Sequence, residues 1–335
     1  MTVTKLRWTI LIISFFVLTL GGWIGINLGG FLPTYACPYV GGSRGGICFL
    51  FRLQFLLGNG SIEAFIGLGK HILYFSLLVI IIGRAWCGWI CPLGFVQDIL
   101  DLIRRKLHMG YIRFPERIRA GLGCVKWIFF FIALLIPLWV AYPLFAPAVA
   151  RDLLQPYCQL CPGKYILPLL LGDINNVTVN FKSATTIVMS MLGLIFSVTF
   201  IAVSFMKRRF WCSYCPMGLL LSWYRKISFI KLKKDCQKCT MCELCYNVCP
   251  VEIEQVFKER ENENVTFSDC TLCLRCIEYC PEDGALQATF LGKPIYKSTN
   301  KGFFERQRII TEVREKRDQK GVLKYSDKIR DNTDR

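Results

Sequence analysis

Four stretches of the chain are apolar over the length that a membrane-spanning helix requires. They lie at about residues 8–33, 65–83, 127–150 and 184–206. Roughly 20 apolar residues are needed to cross about 30 Å of hydrocarbon. The first stretch has no clear small-residue cleavage site and further apolar stretches follow it, so we interpret it as an anchor and not as a signal peptide. The pattern predicts four transmembrane helices.

The positively charged residues between these stretches are distributed unevenly. Four spans would put residues 1–7, 84–126 and 207–234 on the same side of the membrane. These segments carry eighteen Lys and Arg, whereas the segments on the other side carry six. Short loops rich in Lys and Arg stay in the cytoplasm. We therefore expect a multi-pass protein of the cytoplasmic membrane with both termini in the cytoplasm. The net charge of +17 then reflects topology and contact with anionic lipid, and it does not indicate a nucleic-acid partner.

The amino-acid composition limits the kinds of metal site that the chain can form. The chain has 335 residues, of which 53% are hydrophobic, 18 are Cys and 2 are His. This hydrophobic content excludes a disordered chain, and the length excludes a short disulfide-stapled scaffold. With only two His, sites built on imidazole are nearly excluded. Thiolate-ligated iron–sulfur clusters are favoured, with Cys-only zinc as the alternative.

Eight cysteines follow a doubled spacing near the C-terminus, in a segment (228–292) with 7 Lys and Arg against 11 Asp and Glu. Each run is Cys-x2-Cys-x2-Cys-x3-Cys-Pro, the signature of a bacterial two-cluster ferredoxin, in which the fourth Cys of each run ligates the other cluster. We therefore predict two [4Fe–4S] sites. The first ferredoxin set is Cys239, Cys242, Cys245 and Cys280, and the second ferredoxin set is Cys270, Cys273, Cys276 and Cys249. Cys236 and Cys124 are left over.

Two related cysteine motifs directly follow the second and fourth apolar stretches. They read RAWCGWICPLG from Arg84 and RFWCSYCPMG from Arg209, so the second lacks one residue between its cysteines. Two cysteines from each motif suffice for one four-iron cluster. The inner set predicted on this basis is Cys87, Cys91, Cys212 and Cys215, and a redox-active thiol pair is the alternative.

Four further cysteines follow the first and third apolar stretches, and we call them the outer set: Cys37, Cys48, Cys158 and Cys161. Each half of the chain thus repeats the order span, outer Cys pair, short apolar segment, span, inner Cys pair. Parallel repeats related by an axis along the membrane normal would bring the pairs together at each face. A fourth cluster is predicted here, and disulfides Cys158–Cys161 and Cys37–Cys48 are also compatible with an oxidising compartment.

The predicted architecture has three parts. Residues 1–227 form an all-α membrane domain of four transmembrane helices in two parallel pseudo-repeats. Residues 228–292 form a cytoplasmic α+β ferredoxin domain with two [4Fe–4S] clusters. Residues 293–335 form a basic C-terminal extension, with 13 Lys and Arg against 7 Asp and Glu.

The motifs WCGWICPLG and WCSYCPMG, four spans and a C-terminal two-cluster ferredoxin together resemble the NapH/MauN-type membrane polyferredoxins. NosR and CcoG relatives share related Cys-x-x-x-Cys-Pro elements. The resemblance covers residues 1 to about 290. It implies a membrane-bound electron carrier that links the quinone pool or a cytoplasmic donor to a partner oxidoreductase. It also implies that Cys87, Cys91, Cys212, Cys215 and the eight ferredoxin cysteines are cluster ligands.

The predicted function is electron relay through [4Fe–4S] clusters between redox partner proteins, extending across the membrane if the outer set holds a cluster. Such a chain is an electron carrier or an oxidoreductase subunit and not a stand-alone enzyme. One alternative is a quinol-oxidising or quinone-reducing site within a larger complex, which would need a proton acceptor. Another is a membrane redox sensor or assembly factor. The candidate proton acceptors are His71, Lys70 and Glu63 on the outer side and Asp98 and Asp101 on the inner side.

Overall fold

The structure is a computed structural model. It describes residues 2–26, 33–34, 37–43, 45–110, 112, 116–141, 153–172, 181 and 183–308. The chain divides into two compact units. The membrane unit comprises Met1–Lys231, Pro250–Ile253 and Thr266–Cys273, and the ferredoxin unit comprises Leu232–Cys249, Glu254–Val265 and Leu274–Arg335. The sequence placed the boundary at 227/228. The structure moves it by four residues and assigns two short ferredoxin segments to the membrane unit.

Four helices of the membrane unit are long and apolar enough to span a membrane. The candidate spans are Val3–Ile24, Ile62–Ile82, Gly123–Ala141 and Ala184–Met206. Their mean hydropathy is between 1.7 and 2.3, yet only 17–33% of each span is buried within the protein. Apolar helices with such exposed surfaces require lipid around them. The expectation of an all-α membrane domain is confirmed.

The span boundaries differ from the predicted ones for local reasons. The first helix, α1 (Val3–Leu20), begins earlier than residue 8 because Thr2 caps it and Arg7 is buried in an ion pair, so a charge fits inside it. A 3-10 turn extends α1 to Ile24, and Gly25 ends it with a φ of +74°. The part of the third predicted span from 142 to 150 lies outside the described residues. The fourth span agrees with the prediction.

Shorter helices follow each span of the membrane unit. In chain order the helices after α1 are α2 (Phe49–Asn59), α3 (Ile62–Ile82), α4 (Ala85–Trp89), α5 (Pro92–Lys106), α6 (Glu116–Ala141), α7 (Pro156–Leu160), α8 (Pro162–Leu170), α9 (Ala184–Met206) and α10 (Pro216–Trp223). A two-stranded parallel pair joins β1 (Pro33–Thr34) to β2 (Ile47–Cys48). Both halves follow one order: span, short helix, span, cysteine turn, short helix.

A cysteine stands at the N-terminus of four of these short helices. Cys48, Cys91, Cys161 and Cys215 are the N-cap residues of α2, α5, α8 and α10. In α5, α8 and α10 the next residue is Pro, whose fixed φ suits the first helical position. The Cys-Pro pairs of the sequence are therefore helix starts.

The ferredoxin region contains a three-stranded sheet and short helices. The strands β3 (Ile230–Lys234), β4 (Leu286–Phe290) and β5 (Lys293–Lys297) occur in the order β3-β4-β5, and β4 pairs with β5 in antiparallel register. Single-turn helices α11 (Leu244–Asn247), α12 (Gln255–Lys258) and α13 (Arg275–Glu278) connect them. This is the predicted α+β arrangement.

Candidate metal centres

The first ferredoxin set surrounds one cavity. Its four cysteines line a cavity of about 20 Å³ together with apolar side chains such as Val256 and Leu286. Burial is the main cause that raises the pKa of Cys245 to about 12, and the nearby Cys239, Cys242 and Cys280 thiols add to the shift. The structure therefore brings together, within the ferredoxin unit, the four cysteines that the spacing groups.

The two ferredoxin cysteine loops share an unusual backbone conformation. Met241 and Glu243 have φ of +55° and +58°, and the corresponding Leu272 and Leu274 have φ of +48° and +59°. Non-glycine residues rarely adopt this left-handed region unless their surroundings impose it. In each loop these residues flank the second cysteine, so the backbone reverses around it and turns successive cysteines inward.

The second ferredoxin set is distributed over both units. Cys270 and Cys273 are buried in the membrane unit, whereas Cys249 and Cys276 belong to the ferredoxin unit. Its assignment as one site stays a prediction.

The outer set also lines one cavity, of about 40 Å³. All four cysteines face it, with Tyr39, Leu93, Tyr157 and Lys164 among the other lining residues. By the same measure a single water needs about 10–15 Å³, so the cavity has room for a larger group. The hydroxyl of Tyr157, which is 2% exposed, has no hydrogen-bond partner among the described residues. Cys158 and Cys161 are thiols and are not joined in a disulfide.

The inner set lies where the two cysteine turns meet. Burial raises the pKa of the Cys91 thiol well above its ordinary value, and its Cys87, Cys212 and Cys215 neighbours raise it further. The same neighbours, Cys212 and Cys215, add to the effect of burial on Cys87, whose pKa is raised to about 12. Two cysteines from each half of the chain therefore lie close together in one buried site.

Two buried arginines that are distant in sequence bind the backbone of the first cysteine turn. Arg209 Nη1 donates a hydrogen bond of 2.8 Å to the Cys87 carbonyl, and Arg7 Nε donates one of 2.8 Å to the Gly88 carbonyl. Asp98 joins the two arginines, accepting bonds of 2.9 and 2.7 Å from Arg209 and pairing with Arg7. Asp98 offsets the charge of one of the two buried arginines, so the network keeps one net positive charge beside the cysteine turn.

Arg84 reaches toward the second cysteine turn in the same way. A Cβ added to Gly218 would come within 3.1 Å of Arg84 Nη2 and 3.3 Å of the Cys212 carbonyl oxygen. The Arg84 side chain is 3% exposed, and its Nη1 lies 3.9 Å from Asp269 Oδ1. Its Nε and Nη1 have no hydrogen-bond partner among the described residues. The arginine of each R-x-W-C motif thus contacts the motif of the other half. A buried cation beside four thiols fits an anionic iron–sulfur cluster.

The outer and inner sets belong to one apolar core. The buried core contains Cys91, Leu93, Cys158 and Cys215. Leu93, two residues after Cys91, also lines the outer cavity. Burial raises the pKa of Cys48 to about 11, and the Cys215 thiol contributes to that shift. The two sets are therefore neighbours and are not separated by the full length of a span.

One ferredoxin loop contacts the inner set within the membrane unit. Trp89 Nε1 donates a hydrogen bond of 2.9 Å to the Leu272 carbonyl. A Cβ on Gly88 would lie 2.3 Å from the Thr271 oxygen and 3.3 Å from the Cys273 nitrogen. The turn that carries Cys87 therefore packs against the loop that carries Cys270 and Cys273, and only glycine allows this approach.

Comparisons with known proteins identify these motifs. The 4Fe-4S binding domain family matches residues 72–110 and 189–235, which contain the two inner motifs, and the 4Fe-4S dicluster domain family matches residues 231–297. The chain is 28% identical to the ferredoxin-type protein NapH of Haemophilus influenzae over 65% of each chain. The chain is similar to the NapH-type membrane polyferredoxins and carries 4Fe-4S binding domains.

Other relatives match the same region of the chain. An uncharacterized protein of Methanocaldococcus jannaschii is 24% identical over 71% of the chain and 84% of its own length. The putative electron transport protein YccM of Escherichia coli is 25% identical over 70% of the chain but only 59% of its own length. No solved structure matches the chain.

Both matching families are described as 4Fe-4S binding, which supports iron–sulfur clusters in this chain. Among the described residues, no three His, Cys, Asp or Glu side chains converge closely enough to hold one metal ion. A four-iron cluster requires less convergence, because each thiolate binds a different iron.

The remaining candidates are not grouped with these centres. Cys124 is exposed, and Cys236 faces the carbonyls of Glu259 and Asn262 at 3.9 Å. His71 stacks on Phe49 with ring centroids 4.7 Å apart. Glu63 and Lys70 are exposed on α3.

Both acidic proton-acceptor candidates of the inner side are engaged by arginines. Asp98 pairs with Arg7 and Arg209, and Asp101 pairs with Arg104 and Arg105. The sequence placed both among the candidates for a quinol site, but the structure gives them the role of counter-ions. The arginines were not singled out from the sequence, although Arg84 and Arg209 occupy equivalent positions in the two motifs.

Proposed function

We propose that this polyferredoxin carries electrons across the cytoplasmic membrane through four [4Fe–4S] clusters. The outer, inner, second ferredoxin and first ferredoxin sets would hold them in that order. The observation that carries the proposal is contiguity: the outer and inner sets share one core, and the inner turn packs against the Cys270–Cys273 loop. Electron transfer slows steeply with distance, so neighbouring sites are what a relay requires.

Each cluster, when bound, supplies reversible one-electron chemistry. The residues of the chain bind the clusters, hold the cysteine turns and exclude water. Sixteen cysteine thiolates provide the ligands, Arg84 and the Arg7–Asp98–Arg209 network hold the inner turns, and the apolar core excludes water from the inner and outer sets. One electron enters at one end of the series and one leaves at the other, so no proton acceptor is needed within the chain.

The proposed topology determines on which side of the membrane each redox partner would bind. The uneven distribution of Lys and Arg supports a topology with both termini and the ferredoxin unit in the cytoplasm. A cytoplasmic redox protein exchanges electrons at the inner side, or the quinone pool does so through a partner subunit that binds the protons, and a second redox protein exchanges electrons at the outer side. The relatives support this function, because one of them is named as an electron transport protein.

Iron content tests the number of clusters. We expect about 16 Fe and 16 sulfide per chain in anaerobically purified protein, from four clusters of four iron atoms each. Cys37→Ala and Cys158→Ala should each lower the content by about four Fe and remove one EPR signal. Cys124→Ala is the matched control, since Cys124 is exposed and outside all four sets, and it should change nothing. A wild-type content of about 12 Fe, unchanged in the two variants, would remove the outer cluster from the proposal.

A further inference from the structure

Two buried glutamines occupy equivalent positions at the outer and inner sets. Gln54 lies on α2, six residues after Cys48, and Gln97 lies on α5, six residues after Cys91. Their exposed fractions are 0% and 1%. A buried amide is costly unless its hydrogen-bonding groups are satisfied, so the partners of each one indicate its purpose.

Gln54 links α2 to the cysteine turn of the other half. Its Nε2 donates to the Leu50 carbonyl at 2.9 Å and to the Cys158 sulfur at 3.2 Å. Its Oε1 accepts a bond of 3.1 Å from the backbone N–H of Tyr157, the residue before that cysteine.

Gln97 makes the same three contacts at the inner set. Its Nε2 donates to the Leu93 carbonyl at 3.4 Å and to the Cys212 sulfur at 3.7 Å. Its Oε1 accepts a bond of 2.8 Å from the backbone N–H of Trp211, again the residue before the cysteine.

The backbone partners fix the orientation of both amides. A backbone N–H can only donate and a backbone carbonyl can only accept. The atom that faces Tyr157 N or Trp211 N must therefore be the amide oxygen, and the atom that faces the helix carbonyl four residues earlier must be the nitrogen. The same nitrogen then presents its second N–H to the cysteine sulfur at each site.

We propose that Gln54 and Gln97 are matched residues that set the reduction potentials of the outer and inner clusters, a role that rests on the proposed function. A hydrogen bond to a ligand sulfur stabilises the more negatively charged, reduced cluster and so raises its potential. The amide oxygen holds the turn in place, and the N–H adjusts the charge on the sulfur. The shorter contact at Cys158 predicts the larger effect at the outer cluster.

Potentiometric EPR on the full-length protein tests this role. Gln54→Leu removes the donor without changing charge, and we expect it to lower the midpoint potential of the outer-cluster signal alone. Gln97→Leu should lower the potential of the inner-cluster signal alone, by a smaller amount. Gln159→Leu is the comparison variant, because Gln159 directly follows Cys158 but its amide contacts Tyr39 and Lys164 and no cysteine sulfur. Since Tyr39 and Lys164 line the outer cavity, it should move the outer potential less than Gln54→Leu does and leave the inner potential unchanged.

A second substitution at each glutamine tests the proposal even if the Leu variant loses its cluster. Gln54→Glu and Gln97→Glu keep an oxygen that accepts the Tyr157 or Trp211 N–H, while the amide N–H donor is lost. We expect full iron content and a lowered potential in both, and Gln159→Glu measures the effect of the added charge alone. Unchanged potentials at full iron content, or shifts no larger than in Gln159→Glu, would overturn the proposal.

The outcome is separable from that of the proposed function. If the wild-type protein holds only about 12 Fe, the outer cluster does not exist and the role of Gln54 fails with it. The Gln97 variants would still test whether Gln97 sets the reduction potential of the inner cluster. If the wild type holds about 16 Fe and the potentials do not respond, the clusters stand and the glutamine role alone is wrong.

Discussion

The ferredoxin loops and the membrane cysteine turns present the same ligand in two different ways. In the first ferredoxin set three of the four cysteines come from seven consecutive residues, and the backbone itself reverses around them at Met241 and Glu243. In the inner and outer sets each half of the chain contributes two cysteines. Their positions depend on contacts between residues far apart in sequence, such as Arg209 with Cys87 and Gln54 with Cys158. A local site is specified by spacing, whereas an assembled site is specified by packing.

The largest expected effect comes from breaking the arginine network of the assembled site. Arg209→Ala leaves Asp98 with a single cationic partner and the Cys87 carbonyl without its donor. Removing one member of a buried ion pair typically costs about 3–5 kcal/mol. We expect loss of the inner cluster, about four Fe per chain, while the first ferredoxin set keeps its EPR signal.

Arg209→Lys is the conservative control for this comparison. It keeps the charge but cannot make the two-atom contact with Asp98, so we expect an intermediate iron content. If Arg209→Ala removed both ferredoxin signals and the inner signal together, the two kinds of site would not be independent.

A smaller effect is expected from separating the inner turn from the ferredoxin loop. Gly88→Ala places a Cβ 2.3 Å from the Thr271 oxygen, an overlap that costs about 1–3 kcal/mol when the backbone must shift. We expect all clusters to remain bound and electron transfer between the inner and ferredoxin clusters to slow, measured by freeze-quench EPR after reduction at one end. Gly69→Ala serves as control, since a Cβ there meets nothing within 4 Å. Equal rates in both variants would argue against a path through this contact.

The smallest expected effect is a dependence of stability on acid pH that originates at Asp101. Burial alone would raise the pKa of this carboxyl, but hydrogen bonds from Arg105 and Arg104 outweigh burial and lower it. A depressed pKa contributes stability above the unfolded value of about 3.9, and this stability is lost as the pH falls through the folded-state pKa. In Asp101→Asn the melting temperature in detergent should fall less steeply below about pH 4 than in wild type. Parallel curves for the two proteins would assign the acid sensitivity elsewhere.

Much of the fold could be predicted from the sequence, because hydropathy and spacing are local signals. The fourth span was predicted at its observed limits, and the α+β ferredoxin module follows from its doubled cysteine run. The start of the first span was missed because Arg7 is neutralised by Asp98, a partner that is distant in sequence. The same limitation hid Gln54 and Gln97, whose partners lie more than 100 residues away in sequence. The assignments of the cysteines to clusters remain predictions.

The four cysteines that begin helices have a consequence for the energetics of charge in lipid. A cluster with four thiolates is an anion, and hydrocarbon offers no water to solvate it. Each helix N-terminus presents unpaired N–H groups and a partial positive charge of about half a unit. The backbone N–H groups of Phe51, Gly94 and Gly163 lower the pKa of Cys48, Cys91 and Cys161, which opposes the larger effect of burial. The outer set has two such helix ends and the inner set has two, so the backbone takes the place of a solvation shell at both depths.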